Sequence, residues 1–81
     1  MKVEITISLK KGVMDAEGSS TMKALHLLGF KSVRNVKSVR VFRVEMDARS
    51  GEECIREAEE MCKRLLANPV IHEYKMRVVE K

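Results

Sequence analysis

Lys2-Val3-Glu4-Ile5-Thr6-Ile7-Ser8-Leu9-Lys10 sets an apolar residue at every second position and a polar one between. A period of two matches the pleat of a β-strand, whose side chains point alternately to opposite faces. Val3, Ile5, Ile7 and Leu9 therefore share a face that wants burial, and Glu4, Thr6 and Ser8 share one that tolerates water. Such a strand needs other strands beside it and an apolar layer above it. The rest of the chain offers both.

Lys10-Lys11-Gly12 ends the strand, and Gly12 to Gly18 reads as a loop containing Asp15. Ser19 or Ser20 then offers a hydroxyl N-cap. Met22, Ala24, Leu25 and Leu28 make an apolar stripe at helical spacing, closed by Gly29 as a C-terminal glycine. Val33 to Asp47 is less regular: Val39 and Val41 occupy one parity, then Phe42, Val44 and Met46 the other. A change of parity signals a bulge, a bend or a reversal. As one straight strand this segment would span about 50 Å, more than the roughly 30 Å diameter of a compact chain of this length. No Asn-Gly or similar pair supports a tight hairpin. The expectation is a long, bent strand reaching a neighbouring subunit, with a split into two strands as the alternative.

Ser50-Gly51-Glu52-Glu53 fits an S-x-x-E capping box, in which Ser50 and Glu53 satisfy each other's backbone donors. Behind it Ile55, Ala58, Met61, Cys62, Leu65 and Leu66 supply a core face, and Arg56, Glu57, Glu59, Glu60, Lys63 and Arg64 face water. Asn68-Pro69 stops the helix, because proline disfavours the α region in the residue before it. A last strand runs from Val70 to about Val79, with His72, Tyr74, Met76 and Val78 on one face and Glu73, Lys75 and Arg77 on the other. The order is β-α-β-α-β, or a ferredoxin-like β-α-β-β-α-β if the middle segment splits. Both are α+β arrangements, an antiparallel sheet with two helices on one face.

At 81 residues the chain reads as a single domain spanning 1–81, which alone buries only about 60–65% of the surface it exposes when unfolded. Association is expected, since sheet edges and the second face need cover. The composition, 44% hydrophobic and 35% charged, excludes disorder, collagen-like repeats and disulfide scaffolds. No stretch is long enough for a membrane span, and the alternating N-terminus is unlike a signal peptide. A cytoplasmic protein is expected. The net charge of +4 is scattered, and the three aromatics (Phe30, Phe42, Tyr74) do not interleave with a basic cluster. That reads as a solvated surface and not a nucleic-acid footprint. Cys54 and Cys62, both on the second helix, would lie about 12 Å apart along its axis, too far for a disulfide. They read as buried thiols in a reducing compartment.

A search for chemistry finds little. His26 lies at the margin of the first apolar stripe and His72 opens the last strand; neither has a Cys, Asp or second His at ligand or triad spacing. Glu52-Glu53 and Glu59-Glu60 sit on a helix as solvated charge, without a pocket for acid–base work. The Lys10-Lys11-Gly12 to Gly18-Ser19-Ser20 stretch leads into a helix N-terminus but lacks the spacing of a phosphate-binding loop. No catalytic, cofactor-binding or metal-ligating residue is assigned. The residues themselves read as a non-catalytic interaction domain.

Three segments carry a resemblance. Val3-Glu4-Ile5-Thr6-Ile7-Ser8-Leu9-Lys10-Lys11-Gly12-Val13-Met14-Asp15-Ala16-Glu17-Gly18 looks like an alternating strand followed by L-K-x-x-V-x-D-x-x-G. Ala24-Leu25 with Leu28-Gly29-Phe30 is similar to A-L-x-x-L-G-F/Y. Met61 to Tyr74, with Leu65-Leu66-Ala67-Asn68-Pro69-Val70-Ile71 at its centre, resembles C-x-K-L-L-A-N-P-V-I-E-x-Y. Together these resemble the PurS subunits of phosphoribosylformylglycinamidine (FGAM) synthase over essentially the whole chain. One departure stands in the middle segment, where many relatives have R-x-G-K and this chain has Lys37-Ser38-Val39-Arg40. Val39 cannot easily take the positive φ open to glycine.

The resemblance implies a small subunit, without an active site of its own, of a three-part enzyme in de novo purine synthesis. It implies a glutaminase (PurQ-type) partner that releases ammonia from glutamine. It also implies a synthetase (PurL-type) partner that uses ATP and Mg to convert FGAR to FGAM. It implies too a homodimer or higher homo-oligomer built through the sheets, no cofactor bound by this chain, and neither nucleic acid nor membrane as partner. Leu9, Asp15, Gly18, Leu25, Gly29, Leu65, Leu66, Asn68, Pro69 and Val70 would be its structural motif residues, in core, caps and turns. Lys10, Lys37 and Arg40 are the candidates for partner contact. Two rival readings of the fold are a small nucleic-acid-binding domain, which requires aromatics on an open sheet face, and a ligand-sensing module.

Overall fold

β1 (Lys2–Leu9) is the middle strand of a three-stranded antiparallel sheet, order β2-β1-β3, in this computed structural model, which describes residues 1–79. β2 is Arg40–Glu45 and β3 is His72–Val79. Val3 stands opposite Val44 and Val78, Ile5 opposite Phe42 and Met76, and Ile7 opposite Tyr74. Directly opposed residues share a face, so three alternating patterns merge into one apolar surface. Over it lies α2 (Gly51–Met61), continued by a π-turn at Cys62–Leu66. The fully enclosed core is small: Val3, Ile5 and Ile7 below, Cys54, Ala58 and Cys62 above. Phe42, Val44, Tyr74, Met76 and Val78 pack around it, half-buried.

The α+β class and the β-α-β-α-β order hold. The layering is uneven, because α1 (Ala16–Leu27) contributes only Gly18 to the buried set. Its expected apolar stripe does not reach the sheet. Leu28 is 74% exposed and Ala24 is exposed, while Met22 and Leu25 are half-buried. The helix is held instead by a returning strap, residues 30–39, that runs back along it. His26 Nε2 meets the Val33 carbonyl at 2.8 Å near one end, and Asp15 binds Ser38 at the other. Helix and strap form an arm. The radius of gyration is accordingly 15.9 Å, against about 12 Å for a compact chain of this length.

Several local expectations are corrected. The first helix is capped by Asp15, whose side chain accepts the Gly18 N–H at 2.8 Å, not by Ser19 or Ser20, which lie inside the helix. The last three residues of the predicted Gly12–Gly18 loop, Ala16 to Gly18, are therefore helix. The long bent strand does not form. Residues 33–39 hydrogen-bond to α1 instead of a strand, and pairing begins only at Arg40, where the Phe42, Val44, Met46 parity takes over. The capping box is half formed: Ser50 Oγ accepts the Glu53 N–H at 3.2 Å, but the Glu53 carboxylate takes the Arg49 N–H, at 2.7 Å. Leu65 is not in the core. The π-turn, with Ala67 N–H donating to the Cys62 carbonyl, widens the helix and leaves Leu65 83% exposed while Leu66 turns inward. β3 starts at His72, two residues later than read, since Val70 and Ile71 belong to a turn on Asn68.

Gly29 does close α1. At φ +102° it sits just past Leu28, its N–H bonded to the His26 carbonyl, with the Phe30 N–H on the Leu25 carbonyl. That pair of bonds is a Schellman motif. Cys54 and Cys62 are buried free thiols; burial, and secondarily Glu59, pushes the Cys62 thiol up from its ordinary value.

Candidate interaction cleft

Where β1 ends and β2 and β3 begin, the arm leaves the body of the molecule and a cleft of about 200 Å³ opens between them. Its floor is Ile7, Leu9 and Leu66; Ser38, Val39 and Arg40 form one wall, and Glu17 and His72 complete the rim. The sheet register assembles it: Arg40 stands opposite Ile7, and His72 opposite Leu9. Both therefore lie on the face covered by α2, just beyond the helix's reach.

The three cations marked for partner contact fall around this one feature. Arg40 lines it, Lys37 directly precedes its wall, and Lys10 directly follows its floor; all three are exposed. Lys10 Nζ donates to the Pro69 carbonyl at 2.8 Å, tying the end of β1 to the turn before β3. Lys37 and Arg40 have no carboxylate within 4.0 Å among the described residues. Leu9 and Leu66 are half-buried in the floor, and Val70 is 77% exposed in the turn. Asn68 shapes that turn: its Oδ1 accepts the Val70 N–H at 2.9 Å, and its own N–H donates to His72 Nδ1 at 2.9 Å. Leu25 and Gly29 lie at the far end of the arm.

Asp15 is the hinge point that sequence spacing did not reveal. Its carboxylate accepts the N–H and the hydroxyl of Ser38 and the N–H of Gly18, each at 2.8 Å. Ser38, 23 positions along the chain, thus fixes the cleft wall to the start of α1. These bonds, the Ser38 N–H first, hold the Asp15 carboxyl below its ordinary value of 3.8. On the opposite sheet face Glu4 bridges Arg77, at 2.9 Å, and Arg43, at 3.0 Å, which hold its carboxyl below 4.5. A carboxylate whose pKa is depressed by folding stabilises the fold above its unfolded pKa and stops doing so as pH falls through its folded value. Stability should therefore decline below pH 4.5 for Glu4 and 3.8 for Asp15. Asp15→Asn should be less stable than the parent at neutral pH, with the two converging in acid. Urea midpoints across that range are the check; a constant difference would mean that the Asp15 charge is not involved.

The geometry speaks against the nucleic-acid reading. Phe42 and Tyr74 stand opposite Ile5 and Ile7 and pack against the core, so the open face, around Glu4 and Thr6, has no stacking platform among the described residues.

Comparison with known proteins gives a consistent result. A family model described as PurS, phosphoribosylformylglycinamidine (FGAM) synthase, matches residues 2–80. The FGAM synthase subunit PurS of Archaeoglobus fulgidus is 57% identical over 74 residues, covering 91% of this chain and 92% of that one. The crystal structure of Methanocaldococcus jannaschii PurS, one of the subunits of formylglycinamide ribonucleotide amidotransferase, superposes with a TM-score of 0.92 at 42% identity, covering 99% of this chain and 96% of that one. The corresponding chain in the structure of PurLQS from Thermotoga maritima superposes with a TM-score of 0.86 at 25% identity, covering 94% and 93%.

Proposed function

The chain belongs to the PurS family of FGAM synthase subunits, and from that premise we propose that it is the small, non-catalytic member of a glutaminase–synthetase assembly in purine biosynthesis. It holds a PurQ-type glutaminase and a PurL-type synthetase together so that ammonia released from glutamine reaches the activated FGAR carbonyl, giving FGAM. The near full-length agreement with PurS subunits carries this reading. The physical need is clear. Ammonia free in neutral water is mostly protonated and no longer nucleophilic, so a docked, shielded transfer raises its effective concentration.

In this reading ATP, Mg and glutamine are bound by the partner subunits, and this chain works as a homodimer or larger homo-oligomer in the cytoplasm. Buried free thiols at Cys54 and Cys62 suit a reducing compartment. The unusually small core supports association as a condition of its stability.

The test is amidine formation by the synthetase and glutaminase subunits of the same source, with and without this chain. Glutamine-dependent turnover should require it, and ammonia-dependent turnover by the synthetase alone should not. If its addition changes neither rate and the three chains do not co-elute, the reading is wrong.

A further inference from the structure

We propose that the outer furrow between α2 and β3 receives a basic segment of a partner subunit, one apolar side chain seated on Ile55 and Val78 and flanking cations on Glu52 and Glu59. The inference rests on the assembly function above and names a surface through which it acts.

The furrow lies at the end of the sheet away from the arm. Val78 stands opposite Val3, whereas the arm leaves beyond Leu9 and His72. Gly51 starts α2 here and, lacking a side chain, lets the helix come close: a Cβ on it would lie 4.0 Å from Val78 Cγ2. Ile55, one turn on, is half-buried as Val78 is, and the two form an apolar floor. β3 is an edge strand, so no further strand of the sheet closes the outer side. Glu52 and Glu59 stand on the rim, two helical turns and about 10 Å apart along the axis. Both are exposed, and neither has a cation within 4.0 Å among the described residues. Arg56 is the only cation of the lining, and no carboxylate lies within 4.0 Å of it among those residues.

Charge selects the occupant. Residues 45–60 hold seven of the chain's twelve carboxylates and two of its sixteen cations, a net of −5 in a chain of +4. The remainder of the chain carries +9. The α2 side is thus an acidic pole on a basic molecule. An approaching lysine or arginine meets attraction there, and an anionic segment meets repulsion. An apolar neighbour of that cation, entering between the rim carboxylates, leaves water together with Ile55 and Val78. A second copy presenting the same furrow, as a two-fold contact through it would require, sets carboxylate against carboxylate. The assembly function needs contacts to two unlike chains, and a basic segment of one of them is the occupant that this furrow fits.

The experiment pairs Glu52→Gln with Glu59→Gln in the full chain and titrates the double variant against the glutaminase and the synthetase subunit of the same source. Affinity for one of them should fall about tenfold, because two charged contacts are lost. The fall should shrink as salt is raised. Glu57→Lys changes the net charge by the same amount on the other flank of α2, and should weaken binding by less than about threefold. Melting temperature and homo-oligomer mass by sedimentation should stay as in the parent. Undiminished affinity of the double variant for both subunits would overturn the proposal, and so would an equal loss in Glu57→Lys, which would mean overall charge and not the furrow. A changed homo-oligomer mass would overturn it too, giving the furrow to a second copy. A parent chain that binds neither subunit would overturn the assembly function and this inference with it, whereas binding that survives the substitutions overturns this inference alone.

Discussion

Ile5→Ala should destabilise the fold by about 2–5 kcal/mol, the range for removing a buried branched side chain from a packed core. Ile5 is 0% exposed in the middle of the middle strand, flanked by Phe42 on β2 and Met76 on β3 and roofed by α2. Among the described residues the core holds six enclosed side chains, two of them cysteines and one an alanine. Few neighbours are free to collapse into the hole, which places the expected cost toward the upper part of that range. Ile5→Val, which removes one methylene, should cost about 0.5–1.5 kcal/mol. Urea unfolding at one fixed protein concentration measures both, since association couples stability to concentration. An Ile5→Ala cost below about 1 kcal/mol would mean that this side chain is not the centre of the core.

Ile5 is also where the sequence is most legible. A period of two, sustained from Val3 to Leu9, identified the strand and its buried face, and in β3 the same pattern separated Tyr74, Met76 and Val78 from Glu73, Lys75 and Arg77. Gly29 and Ser50 were legible for a different reason: helix ends leave orphan backbone groups that few residue types satisfy. Periodicity and caps are local, so a single chain displays them.

The larger errors came from contacts between distant residues. Asp15 caps α1 and grips Ser38 with the same carboxylate, and nothing near Asp15 announces a partner 23 positions away. The hydroxyls of Ser19 and Ser20 looked like better caps because the strap was missing from the picture. Residues 33–39 read as strand because their valines suit one, yet they lie along a helix, and the parity change marks where strap becomes strand. Leu65 fell outside the core because a π-turn breaks the helical period on which its placement relied. The cleft follows from these same tertiary facts. Lys37 and Arg40 stood out as exposed charge, but only the register of Arg40 with Ile7 and the grip of Asp15 on Ser38 bring them to one rim.

Gly18→Ala should destabilise the protein although a helix interior ordinarily favours alanine over glycine by about 1 kcal/mol. Gly18 lies in the first turn of α1 with an ordinary helical backbone, so conformational freedom is not its purpose. Space is. A methyl group there would stand 2.4 Å from the Val36 carbonyl oxygen and 2.7 Å from Asp15 Oδ2. A carbonyl of the strap is backbone and cannot swing aside, so the strap must lift from the helix. Lifting it pulls Ser38 away from Asp15, removing the N–H and hydroxyl bonds that fix the cleft wall. Overpacking of this kind costs about 1–3 kcal/mol, enough to reverse the propensity gain. Ser19→Ala, one residue on and exposed, supplies the contrast and should be neutral or slightly stabilising. Two readings separate a local from a global effect: the urea midpoint, and hydrogen exchange at the Ser38 amide, whose protection should fall further than that of the β1 amides. If Gly18→Ala proves more stable than the parent with Ser38 still protected, the strap does not lie against the helix as closely as described.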